Sequence, residues 1–144
     1  MSLISIFKVS IAEIQLDVSQ DLLIVKFTNS NYNREEFYKI LEYFKNFWLL
    51  ASEQNKKYYM LFNIKELGIY PLQQFENLKT ILVSLEDVFK KSLHCTALLT
   101  DNELVLTILK PLFNIYKAVR PFTIFKTMDD VKIFYNKLEN QNNN

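Results

Sequence analysis

Hydrophobic and polar positions along this chain change their spacing in a regular succession. In AEIQLDV, Ala12, Ile14, Leu16 and Val18 alternate with Glu13, Gln15 and Asp17. That is the period of two of a strand with one wet face. Ser19, Gln20 and Asp21 make a turn, and LLIVKFT follows as a more buried strand, so the two form a hairpin. Residues 3–9 are a candidate short edge strand. From Asn33 the period lengthens. Phe37, Ile40, Leu41, Phe44, Phe47, Trp48 and Ala51 recur at three- and four-residue steps, and Asn33 and Glu36 have the spacing of a capping box. KYYMLFNI is a continuous apolar run suited to a strand covered on both faces.

Pro71 falls where a proline suits the first turn of a helix. Phe75, Leu78, Ile81, Leu82, Leu85, Val88 and Phe89 then mark a single amphipathic helix. HCTALLT is another buried strand, and Thr100 and Glu103 repeat the capping-box spacing before LVLTILKPLFNIYKAV, which Pro111 should kink or divide. PFTIFKT is the last strand, and Thr127 caps a closing helix bearing Val131, Phe134, Tyr135 and Leu138. The resulting order is β-β-α-β-α-β-α-β-α. It predicts an α/β fold with a mainly parallel or mixed sheet of 4–5 strands and about four helices. One domain over residues 1–139 is expected, with 140–144 as a disordered polar tail. A chain of 144 residues can bury roughly two-thirds of its unfolded surface.

Composition narrows the function classes. Seventeen basic and sixteen acidic residues give a net charge of +1, no footprint for nucleic acid. The pairs Lys56-Lys57 and Lys90-Lys91 are each expected at a helix end, where they favour the negative end of the dipole. A single cysteine, Cys95, excludes a disulfide framework within the chain and favours a reducing compartment. No apolar run reaches the ~18 residues of a membrane span. The start, MSLISIFKVSIAEIQLD, lacks the marks of a signal peptide. A cytoplasmic location is expected.

Candidate chemistry is sparse. His94 is the only histidine, so no multi-histidine metal site can form, and as strand neighbours His94 and Cys95 should point to opposite faces. With one glycine, neither a dinucleotide fingerprint nor a phosphate-cradling loop can be built. The pairs Glu35-Glu36 and Asp129-Asp130 lie in first turns of predicted helices, where negative charge is favoured. The expectation is a protein that is not an enzyme and has no cofactor and no metal.

LFNIKELGIYPLQQF holds the lone glycine, Gly68, between a strand and a helix, a junction where loop residues and the start of a helix face outward together. Three stretches, YYMLFNIKELGIYPLQQFENLKTIL, TALLTDNELVLTILK and FTIFKTMDDVKIFYNKL, resemble the STAS / SpoIIAA-like family, which includes anti-sigma-factor antagonists. The resemblance spans about residues 11–139 and rests on element order and these local patterns. It implies a STAS-like single domain that works by contact with other proteins. In partner-switching members a serine at the start of the second helix is phosphorylated; the resemblance places it around Tyr70 to Leu72, where this chain has no serine. Asn63 stands where many members carry aspartate. The serine phospho-switch is therefore not expected.

At ~100° per residue, the apolar positions from Leu104 to Val119 span about 240° of the helical wheel, more than one core contact uses. Leu106, Leu109 and Phe113 lie on the surplus edge. Either neighbouring elements cover this helix on two sides, or part of it is an exposed apolar patch. The leading expectation is a non-enzymatic regulatory or protein-interaction module whose partner is either another protein or a second copy of itself in a homodimer. It would bind through Asn63, Glu66, Gly68, Tyr70, Leu106, Leu109 and Phe113. The alternative is a carrier or sensor of a small apolar, lipid-like ligand held between the aromatic-rich helices and the sheet.

Overall fold

The computed structural model describes residues 3–28, 31–67, 72–107, 109–110, 114 and 121–142. Six strands form one mixed sheet: β1 (Leu3–Lys8), β2 (Ala12–Asp17), β3 (Leu22–Phe27), β4 (Tyr58–Asn63), β5 (Leu93–Leu99) and β6 (Phe122–Phe125). They lie side by side in chain order, the first three antiparallel and β3 to β6 parallel. The α/β class holds. The sheet has six strands rather than 4–5, because residues 3–8 pair with β2 and complete a three-strand meander.

The helices are α1 (Arg34–Glu53), α2 (Leu72–Ser84), α3 (Glu86–Ser92) and α4 (Met128–Asn142), with a shorter helical stretch over 103–107. Asn33 caps α1 by accepting from the Glu36 amide at 3.0 Å. The reciprocal half of the capping box is absent. The Glu36 carboxylate instead accepts from Ser10 Oγ and from the Ile11 amide, which ties the helix to the β1–β2 turn. The Ser10 hydrogen bond chiefly holds the Glu36 carboxyl below its usual range. At the far end Asn55 adopts φ 55°, with Asn55 N bonding Ser52 O and Lys56 N bonding Ala51 O. This is the left-handed closure that asparagine tolerates and that satisfies the last carbonyls. Lys56 is thereby carried off the helix, and its amine meets Asp21 at 3.0 Å.

The single helix expected to carry Phe75 through Phe89 is two, α2 and α3. Ser84 Oγ donates to Ile81 O at 2.6 Å, and the Leu85 amide is shared between Ile81 O and Leu82 O. Such side-chain competition for a backbone acceptor loosens a helix, and α3 restarts one residue later with Glu86 and Asp87 in its first turn. Lys90 and Lys91 do occupy its last turn. Thr127 caps α4 by accepting from the Asp130 amide. That helix continues through Asn142.

Two apolar layers flank the sheet. On one side α1, α2, α3 and the 103–110 segment bury Ile14, Leu23, Val25, Met60 and Leu98. On the other, α4 places Val131 and Tyr135 over Leu22, Ile24, Leu61, Ala97 and Leu99. Val18, expected inside, is 54% exposed, while Asp17 is buried and accepts from both the amide and the hydroxyl of Ser19. The turn outweighs the alternation there: the carboxylate finds two donors by pointing inward.

Candidate functional site

The corner singled out by the sequence lies at the carboxyl ends of the parallel strands, where α/β sheets commonly bind. Asn63 ends β4 and accepts from the Lys65 amide at 3.3 Å, starting a turn that Leu67 N closes on Ile64 O. The Ile64 amide bonds Leu99 O at 3.0 Å, so the start of the 64–67 loop is held to the end of β5. Lys65 and Glu66 are exposed. After β5, Thr100 is buried and accepts from the Asn102 amide; Asn102 in turn caps the next helix by accepting from Leu104 N and Val105 N. The cap is thus Asn102 and not Thr100, whose side chain is used one step earlier. Glu103 reaches Lys126 at 4.0 Å across the surface.

Of the residues nominated for interaction, Asn63, Glu66 and Leu106 sit around this corner, Leu106 half-buried against the first apolar layer. Leu109 does not belong to an exposed edge: it is 5% exposed and part of the core. The wheel placed it at the rim of a wide arc, but α1 to α3 and the sheet leave that side of the helix covered. Leu104, by contrast, is 70% exposed. Gly68, Tyr70, Pro71 and Phe113 lie outside the described residues.

Between the helices and the sheet lies a cluster of rings. Trp48 lies 5.4 Å from Phe89, 5.6 Å from Phe47 and 6.2 Å from Tyr58 between ring centroids, and Phe44 is 5.8 Å from Phe62. Aromatic pairs at such separations attract one another beyond their area burial.

A cavity of about 290 Å³ lies elsewhere, at the amino ends of the parallel strands and on the α4 side. Its walls are the Ser19–Asp21 turn, Leu22, and the rings of Tyr59, His94 and Tyr135. A bulge builds it. Two steps along β4, Tyr58 to Met60, match three along β5, Leu93 to Thr96. The additional residue cancels the alternation, so His94 and Cys95 lie on one side of the sheet instead of two. His94 stacks on Tyr59 at 4.5 Å, and Cys95 packs in the layer beneath α4. Tyr135 crosses Tyr59 edge-on at 5.6 Å and donates its hydroxyl to Met60 O at 2.6 Å. Burial pushes the Tyr135 phenol well above its usual range. Sequence reading missed this cavity because four separated segments contribute to it.

No family model matches this sequence, and no match is found among curated proteins or solved structures. No helix among the described residues is long and apolar enough to cross a membrane, and these residues hold no group of three or more potential metal ligands.

Burial also pushes the Cys95 thiol up to about 12, so it stays protonated at neutral pH. In native protein at pH 8, iodoacetamide is expected to label Cys95 far more slowly than in the same protein unfolded in urea. Equal rates, read by mass spectrometry, would show that the thiol is open to solvent.

Proposed function

We propose that this chain is a non-enzymatic, STAS-like protein-interaction module that self-associates through the carboxyl ends of its parallel strands. The observation that supports this most is Leu104, 70% exposed in the first turn after β5. It follows the end of β5, to which the 64–67 loop is held by the Ile64–Leu99 hydrogen bond. An exposed leucine beside the surface pair Glu103–Lys126 joins an apolar side chain to charged neighbours, as small contact surfaces do. Leu106, two residues on, is half-buried against the first apolar layer. The family's serine has no counterpart here, so association on this reading is governed by concentration and not by phosphorylation.

Light scattering after size exclusion, across a dilution series, tests the reading. The native chain is expected to approach twice its monomer mass at high concentration. Leu104→Asp should hold it at monomer mass with an unchanged melting temperature, since an acid in a first helical turn is favoured by the dipole. A native chain that stays monomeric at its highest soluble concentration, or a Leu104→Asp variant that still dimerises, would overturn it.

A further inference from the structure

β1 ends the sheet on one side, and among the described strands it pairs with β2 alone. In such an edge strand alternate residues aim their N–H and C=O groups outward, unpaired. The covering of β1 changes along its length. α1 begins at the β1–β2 turn, where Glu36 holds Ser10 and Ile11, and ends against Tyr58 at the start of β4. It therefore crosses the sheet obliquely and leaves β1 as it goes. Phe7, opposite the fully buried Ile14, stacks on Tyr43 at 4.7 Å. Ile4, opposite Leu16 on the same face, is 50% exposed. Leu50, about two turns beyond Tyr43 on the same flank of α1, is 52% exposed. An apolar strip thus stays uncovered between the free edge of β1 and the end of α1. The opposite face of the edge is charged. Lys8 lies opposite Glu13 and Glu13 opposite Lys26, a row of alternating sign across three strands. The next position in that row, beyond the edge, favours an acid.

We propose that β1 takes up an extended segment of another protein as an added strand, with apolar residues over Ile4 and Leu50 and an acidic residue beside Lys8. Main-chain hydrogen bonds supply the affinity of such an addition, and alternate side chains supply its selectivity. A second copy of β1 does not meet these terms. Two steps along β1, Ser5 to Phe7, match one along β2, Gln15 to Ile14, so Ile6 is an additional residue. Two copies would set bulge against bulge and interrupt the new ladder from both sides. Leu3–Lys8 also holds no acid to place beside Lys8. A regular amphipathic strand meets one bulge only and brings the missing charge.

Two synthetic peptides of about eight residues test it. Both alternate valine with threonine, and one central threonine is replaced by glutamate in the first and by lysine in the second. In ¹⁵N–¹H spectra of the native protein, the glutamate peptide is expected to shift the amides of residues 3–8 saturably and to slow their exchange with solvent. The lysine peptide should bind about fivefold more weakly, and Lys8→Gln should abolish that difference. Ile4→Lys, at an exposed position, should weaken the glutamate peptide about tenfold in a protein with native spectra elsewhere. The proposal is overturned if the glutamate peptide gives no saturable shifts at residues 3–8, if the two peptides bind the native chain equally, or if Ile4→Lys leaves affinity unchanged. Shifts of the same amides on concentrating the protein alone would assign the edge to a second copy and overturn it as well. Leu104→Asp should not alter peptide binding, which keeps the two surfaces experimentally separate.

Discussion

Replacing Trp48 with alanine is expected to remove about 3–5 kcal/mol of stability, the usual loss for a large aromatic taken from a core. That is a large share of the roughly 5–15 kcal/mol available to a domain. Trp48 is fully buried and contacts rings from three elements: Phe44 and Phe47 on its own helix, Tyr58 on β4 and Phe89 on α3. Its loss leaves a void that neither the sheet nor α3 can close without moving α1. Its indole N–H finds no acceptor among the described residues. A buried donor without a partner is itself a cost, so Trp48→Phe should lose clearly less than Trp48→Ala. Urea unfolding followed by far-ultraviolet circular dichroism measures both. A loss below about 1 kcal/mol for the alanine variant would mean that the aromatic cluster does not carry the helix layer.

Leu109→Asp is expected to unfold the protein or to cost more than about 3 kcal/mol, because an aspartate there would be buried among side chains that cannot pair with it. Leu104→Asp, five residues earlier on the same segment, should be nearly silent in stability. The contrast follows from exposures of 5% and 70% at the two positions. Melting curves of the two variants side by side decide it. Equal melting temperatures would place both residues at the surface and restore the wide exposed arc that the helical wheel suggested.

Parts of this structure are legible in the sequence for plain reasons. α1 combines an asparagine cap with an uninterrupted apolar spacing, and Phe37, Ile40, Leu41, Phe44, Trp48 and Ala51 are all buried as that spacing requires. β1 is harder to read. Its outer residues, Leu3 and Ile4, remain exposed, so its burial follows no clean alternation, and only the partner strand makes it a strand. The break at Leu85 depends on one serine hydroxyl choosing a backbone acceptor, which periodicity does not register. The cavity depends on one additional residue in β5. Nothing in LHCTALL marks it, since the step is defined only against β4. Alternation along a strand predicts faces correctly until register between strands intervenes, and His94 and Cys95 sit where it does.

The match between chain order and spatial order in the sheet has a consequence for synthesis. Each strand from β2 onward pairs with the strand made just before it. As the polypeptide leaves the ribosome, no strand must hold a gap open for one still untranslated. The antiparallel meander offers β4 an edge as soon as α1 has been made, and the growing sheet always exposes its newest strand to the next. α4 follows β6, so the layer around Leu61, Cys95 and Ala97 stays uncovered until α4 has been made. A nascent chain halted after β6 would present that apolar face to chaperones, while one halted after α4 would not.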